Sequence, residues 1–294
     1  MMKIVNALVT GLAQGSMIAL VALGYTMVYG ILKLINFAHS EVFMMAAFVG
    51  LFAITGLGGK DAPLVAGIGG TLVAMAFAGM LGMLVERVAY EPLRTRGKGK
   101  ANTRITPLVT ALGMSVLLQN LAQLLFTAQY RGYPQLLPIE HTRKVIFITA
   151  FSTMIALQFI VHRTWMGKAM RALSVNIEAA RLMGIRTSRI IAITFITGSV
   201  LAAIGAVLYC LDQSQVYPTM GVVIGTRAFV AAVIGGIGSI PGAMLGGLLI
   251  GIIGELTKLT QYSGLQDVLV FTVLIAVLLV KPTGLLGKQS IEKV

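Results

Sequence analysis

The sequence predicts an all-α integral membrane protein, a polytopic bundle of about eight transmembrane helices with a glycine-broken segment near the C-terminus. Three observations carry this. The 294 residues are 57% hydrophobic and 11% charged, with a mean hydropathy of +0.89, whereas a soluble domain is roughly 45–50% apolar and about 25% charged. Apolar runs long enough to span a bilayer recur along the whole chain, and none shows the short inside–outside alternation with aromatic girdles of a β-barrel. Thirty-four glycines against one tryptophan suit helices whose backbones approach closely. The single cysteine, Cys210, excludes an intrachain disulfide and a cysteine-built metal site.

The first apolar run, Ile4–Leu32, exceeds the roughly 7–15-residue core of a signal peptide and reads as a retained membrane helix. Asn36–Gly56 and Pro63–Val85 follow as the second and third spans. Ile105–Ala128 is the fourth, with polar interruptions at Gln119, Asn120 and Gln123. Pro134 and Pro138 make Gln129–Lys144 an exposed loop. Val145–Val161 is the fifth span, close to the minimum of roughly 17 residues, and Ile190–Leu211 is the sixth. Tyr217-Pro218 marks a turn. Val222–Leu256 is too long for one ordinary helix, and Gly235–Gly242 breaks it into a short half-span entering and a full helix leaving. Asp267–Val280 closes the set. The count is eight, or nine if Val222–Ile234 crosses fully. No repeat, linker or soluble module divides the chain, so residues 1–294 form one membrane domain.

The formal charge is +13, from 23 Lys and Arg against 10 Asp and Glu. Arg87, Arg94, Arg96, Lys98, Lys100 and Arg104 share one stretch with Glu91; Arg163, Lys168, Arg171, Arg181, Arg186 and Arg189 share another with Glu178. Both lie between apolar spans, where the positive-inside rule makes them cytoplasmic loops; no nucleic-acid partner is needed to explain them. Two spans separate them, so both face one side. The N-terminus then falls on the other side, and Lys281, Lys288 and Lys293 favour the basic side for the C-terminal tail.

No G-x-x-x-x-G-K-[ST] loop occurs, so the chain has no ATP site of its own. No H-E-x-x-H or paired-carboxylate spacing appears, and His39, His141 and His162 are scattered, so neither a catalytic residue nor a metal site is expected. The polar candidates within the spans are Asn36, His39, Glu41, Asp212 and Glu255. The three acids fall near span ends, where headgroup solvation or helix capping accounts for them. An ion-coupled secondary transporter would want a carboxylate at mid-depth. Gly11–Gly15, Gly238–Gly242, Gly242–Gly246 and Gly247–Gly251 are each four apart, which predicts glycine faces for tight internal packing rather than for a dimer. Gly235, Gly236, Gly238, Pro241 and Gly242 permit irregular backbone, which membrane depth tolerates only where protein buries it or a water-filled path passes. With Asn36 and His39 they form the candidate translocation path.

Residues 163–189 hold a helix in a cytoplasmic loop. Asn176 is an N-cap, Glu178 occupies the first turn, and Gly184 stands at the C′ stop. Thr187 or Ser188 can cap the next helix. Ile177, Leu182, Met183 and Ile185 are its apolar contacts. Such a helix either lies on the headgroups or docks into a soluble partner's groove.

Glu178-Ala179-Ala180 followed by Gly184 resembles the EAA loop of ATP-binding-cassette importer permeases. Asn36-Phe37-Ala38-His39, after Gly24-Tyr25-Thr26-Met27-Val28-Tyr29-Gly30, resembles the signature of the branched-chain amino acid permeases of the LivH type. Gly235-Gly236-Ile237-Gly238-Ser239-Ile240-Pro241-Gly242-Ala243 and Pro282-Thr283-Gly284-Leu285-Leu286-Gly287 are similar to its C-terminal patterns, so the resemblance runs from Gly11 to Gly287. Ser40 stands where the family often has glycine, which argues against a close backbone approach there.

The resemblance implies a permease subunit forming the path for leucine, isoleucine and valine delivered by a periplasmic binding protein; urea- and amide-type importers share the pattern and stay open, and an ion-coupled secondary transporter is the reading from another class. Because the three amino acids have apolar side chains, their path needs no charged ligand residue. The resemblance further implies no cofactor on this chain, with ATP bound by two ABC ATPase subunits, a second and paralogous permease subunit, and residence in the bacterial inner membrane. Asn176, Ile177, Glu178, Ala179, Ala180, Leu182, Met183 and Gly184 would then couple the chain to its ATPases.

Overall fold

A computed structural model describes residues 2–59, 63–96, 105–126, 128–261 and 263–287. Lys98, Lys100, Arg104, Lys288 and Lys293 lie outside the described residues. The helices are α1 (Met2–Leu32), α2 (Ala38–Gly58), α3 (Leu64–Val85), α4 (Glu91–Arg96), α5 (Ile105–Leu125), α6 (Ile139–Arg163), α7 (Trp165–Val175), α8 (Ile177–Leu182), α9 (Thr187–Gln213), α10 (Met220–Gly235), α11 (Ile240–Lys258) and α12 (Gln266–Val280). A two-residue strand β1 (Arg131–Gly132) pairs antiparallel with β2 (Gln215–Val216), Arg131 opposite Val216.

Eight helices are long and apolar enough to cross a membrane: α1, α2, α3 with its continuation, α5, α6, α9, α11 and α12. The shorter α10 makes a ninth passage. It begins just after β2, whose partner β1 lies in the α5–α6 connection, away from both basic stretches. It ends at a turn in which Gly238 approaches Gly30 near the basic-side end of α1, and Gly238 shares a cavity wall with Met170 and Arg171 of α7. Its 16 residues reach about 24 Å at the α-helical rise, less than the roughly 30 Å hydrocarbon thickness. The C-terminal strip returns to this same end: Leu285 and Leu286 N–H donate to the carbonyls of Ile234 and Gly235 at 2.8 and 2.9 Å. The described part of the tail therefore sits on the basic side.

Close helix packing fixes the centre. α1 and α11 meet through glycine faces: a Cβ on Gly11 would stand 2.9 Å from Ile252 Cα, and one on Gly15 would stand 2.8 Å from Leu248 Cα. Gly247 and Gly251 return the approach against Ala19 and Gly15. α1 crosses α9 at Gly24 and Gly198, where a Cβ on Gly198 would lie 3.3 Å from Gly24 Cα. Inside a bilayer, where apolar burial gives no drive between helices, such contacts supply dispersion instead. At the periphery, α5 fully buries Ala111, Leu118 and Ala122, and α12 only Val270.

Several expectations change in three dimensions. Gly238 lies in the α10–α11 turn with φ +95°, so Gly238–Gly242 is no helix face; the turn uses Gly238 for a left-handed backbone that other residues resist. The first basic stretch is not all loop, because α3 continues through a π-helical turn (Glu86–Tyr90) into α4, reaching Arg96. The fifth span is not near-minimal: α6 starts at Ile139, one residue after Pro138, and has 25 residues. Proline suits that edge because its missing N–H would have had no intrahelical acceptor. The second basic stretch contains a full helix, α7, ahead of the one expected. Neither Thr187 nor Ser188 caps α9, which begins at Thr187 after an Arg186 cap without a side-chain bond; Ser188 Oγ instead donates to Glu91 Oε1 at 3.3 Å, tying the two basic stretches together.

Candidate functional site

On the basic side, α7 and α8 form an angled pair. Thr164 caps α7 by accepting from Gly167 N at 3.2 Å, and α7 buries Gly167, Ala169, Met170 and Leu173 against the bundle. The Arg171 guanidinium donates to Val161 O at the end of α6. Asn176 Oδ1 then accepts from Ala179 N at 3.0 Å, capping α8. At its other end Gly184 has φ +82°. Gly184 N donates to Arg181 O and Ile185 N to Ala180 O, at 3.0 and 3.1 Å, which is the Schellman pair of bonds. Ala180 faces inward at 5% exposure, and Ile177 and Ile185 are half-buried. Leu182 and Met183 point outward at 87% and 84% exposure, joined by Val175. A six-residue helix has no stability of its own, so caps and neighbours hold this apolar tip in place.

A second site lies inside the bundle. The 33–37 connection folds back along α1, so that His39 packs against Gly24, where any Cβ would strike the imidazole. Gly24 is eight residues before the end of α1, about 12 Å of helix. The first turn of α2 thus begins within the bundle rather than at its edge. Asn36, His39, Ser40 and Glu41 are all buried there. Asn36 Oδ1 accepts from Tyr90 OH at 2.9 Å, and the His39 ring stands edge-on to Tyr25 at 5.0 Å between centroids. Glu41 Oε1 accepts from Ser115 Oγ of α5 at 3.3 Å.

This overturns the span-end reading of Glu41, which is 0% exposed. Sequence counting placed it at an edge because the fold-back of residues 33–37 is invisible along the chain. Asp212 and Glu255 do sit at helix ends with cations: Arg143 Nε is 3.8 Å from Asp212, and Lys258 pairs with Glu255 one turn away. The expectation at Ser40 also fails. Close approach does occur there, with the glycines on the partner helix: a Cβ on Gly221 would stand 2.7 Å from Ser40 O, and one on Gly225 would strike the Ser40 side chain.

The candidate path residues fall into two groups at the same end of the bundle. Asn36 and His39 belong to the polar cluster just described. Gly235, Gly236 and Gly242 are buried by protein: Gly235 packs on Gly242, and Gly236, at φ +102°, packs on the returning residues Thr283 and Gly287. Gly238 and Pro241 are exposed, and Gly238 borders the cavity that also meets Thr26 and Arg171. Tyr25, Tyr29, Ile35, Phe229 and Ile237 line a small gap bridging the two groups.

Sequence reasoning passed over Arg227. It lies within α10, donates to Asp267 Oδ1 of α12 from Nε at 2.9 Å and from Nη2 at 2.8 Å, and its side chain is 18% exposed. An arginine inside an apolar run was the available signal.

The family model described as the permease component of branched-chain amino acid transport systems matches residues 7–278. The high-affinity branched-chain amino acid transport permease BraD of Pseudomonas aeruginosa is 40% identical over 303 residues, covering 98% of this chain and 97% of BraD. LivH of Escherichia coli K12, the corresponding permease by name, is 40% identical over 300 residues, covering 97% and 96%. The E. coli ribose import permease RbsC is 27% identical over 137 residues, 45% of this chain and 40% of RbsC.

Proposed function

The chain belongs to the permease-component family of branched-chain amino acid transport systems, and from that premise we propose that it is an inner-membrane subunit of an ATP-binding-cassette importer for leucine, isoleucine and valine. It forms part of the translocation path together with a second, paralogous permease, and receives substrate from a periplasmic binding protein. Two ATPase subunits on the cytoplasmic, basic side bind and hydrolyse the ATP; this chain does no catalysis.

The observation that carries the reading is the α8 tip. A capped helix presents Leu182 and Met183 to solvent beside the cations of the second basic stretch. Exposed apolar side chains held so firmly suit a partner's groove. α8 is continuous in chain with α7, which packs on α6, α1 and α9, and with the 27-residue α9 that runs through the bundle. Closure of the ATPases would push α8, and α9 would carry that displacement to its crossing with α1 at Gly24. The candidate coupling residues thus divide into two roles: Asn176, Ile177, Ala180 and Gly184 hold the shape and seat of α8, while Glu178, Ala179, Leu182 and Met183 face the partner.

The test is purification of the tagged chain from its native membrane in mild detergent, followed by reconstitution. Wild type is expected to bring two ATPases and a second permease, and to take up leucine on addition of ATP and binding protein. Leu182→Asp with Met183→Asp is expected to leave the permease pair intact and abolish ATPase retention. A chain that purifies alone and moves leucine without ATP refutes the reading.

A further inference from the structure

We infer that Glu41 receives the ammonium group of the transported amino acid, an inference that rests on the function proposed above. Glu41 is wholly buried, and its carboxylate is incompletely satisfied: Oε1 accepts from the Ser115 hydroxyl at 3.3 Å, while Oε2 has no partner among the described residues. Among those residues no Lys, Arg or His lies within ion-pair distance of it. The first-turn amides of α2 give an acid partial compensation, but a buried carboxylate with a free oxygen still lacks a cation or a proton.

Two helices face it. α10 approaches with the backbone of Gly221, on which a Cβ would stand 2.7 Å from Oε2. On the other side stands α5, which packs on α2 and the π-helical turn and, among its described side chains, fully buries Ala111, Leu118 and Ala122. The carboxylate therefore sits between a wall built of glycine on α10 and the Ser115 side of α5.

The chemistry matches an amino acid. A primary ammonium has three N–H donors, for which Oε1, Oε2 and the Ser115 oxygen are acceptors on two helices. Met45 lies one turn along the same face of α2, and Leu112 one turn before Ser115 on α5; Met45 adapts its shape readily, which suits leucine, isoleucine and valine alike. The apolar side chains of the substrates leave this requirement untouched, because each substrate still carries its charged amine. The competing account is a carboxyl satisfied permanently by a proton, with no substrate role.

The test uses the full transporter, with ATPases, second permease and binding protein, in proteoliposomes. Glu41→Gln copies the protonated acid in shape and hydrogen bonding. We expect it to assemble normally and to lose leucine uptake at least tenfold, with Glu41→Asp recovering part of the rate. Wild-type uptake by Glu41→Gln overturns the inference in favour of the permanent proton. Should Glu41→Gln fail to assemble, the wild-type complex is treated during ATP turnover with a membrane-permeant carbodiimide, and the Glu41 adduct is read by mass spectrometry. Slower labelling with leucine than without it supports the inference, and equal labelling overturns it. A wild-type complex that assembles but takes up no leucine refutes the proposed function instead, and is seen before any variant is made.

Discussion

Replacing Gly15 by alanine tests whether backbone contact between α1 and α11 holds the bundle together. The added Cβ would lie 2.8 Å from Leu248 Cα, 2.9 Å from Gly247 O and 3.0 Å from Leu248 O. All three are backbone atoms and cannot rotate away. Ordinary contact begins at 3.4 Å, so the helices must part by about 0.6 Å along their seam. Overpacking of this kind costs about 1–3 kcal/mol, while alanine returns about 1 kcal/mol of helix propensity over glycine. The net destabilisation is about 1 kcal/mol, or a fall of about 2 °C in the melting midpoint at this chain length. Gly15→Val adds two more methyl groups and gives back less propensity, so its fall is larger. Gly113→Ala on α5 is the control, because no atom lies within 4 Å of its Cβ position; it is expected to hold or raise the midpoint. The assay is the temperature at which half the monodisperse peak of the detergent-solubilised protein is lost. If Gly15→Ala and Gly113→Ala shift the midpoint in the same direction, the glycine seam is not where α1 meets α11.

Three further outcomes follow from the same geometry. Gly184→Val forces a β-branched residue to φ +82°, a strain of about 1–3 kcal/mol that unwinds the α8 stop; ATPase co-purification should fall while the melting midpoint of the permease barely moves. Tyr90→Phe keeps the ring against Phe195 but removes the buried 2.9 Å bond to Asn36, so it should cost about 0.5–1.5 kcal/mol, seen as a lower midpoint than wild type. Asp267→Asn should cost only about 0.2–1 kcal/mol at low salt, because the carboxylate is 61% exposed and screened; a double-mutant cycle with Arg227→Gln measures the coupling, which should shrink as salt rises.

The glycine seam and the π-helical turn show how unevenly the sequence reveals its own structure. Spacing of four between Gly11 and Gly15, and between Gly247 and Gly251, announced two helix faces without side chains, and those faces meet each other. The same spacing misled at Gly238–Gly242, because an interval of four implies a shared face only if the backbone between is helical, and there it is a turn. Local chemistry was legible at α8, although the equally local cap expected from Thr187 or Ser188 does not form. The α8 caps, Asn176 and Gly184, depend on bonds within one turn, so the residues named the geometry. α7 was passed over in the same stretch although Lys168 and Arg171 lie on the helix face opposite the buried Ala169, Met170 and Leu173, which is the amphipathic pattern of a surface helix.

What the sequence determined alone is the solvent of this protein and the gathering of its cations into two stretches. Both follow from sums over residues, of hydropathy and of charge, that no folding can alter. Tertiary structure decided depth and adjacency. Asn36, His39 and Glu41 look like edge residues when spans are counted along the chain, and the fold-back of residues 33–37 against α1 carries them inside. Ser115 on α5 and Gly221 on α10 are 74 and 180 positions from Glu41 in the chain, and they meet its carboxylate because α5 and α10 both pack on α2. The cost of burying a charge depends on what surrounds it in space, and one-dimensional order carries no record of that.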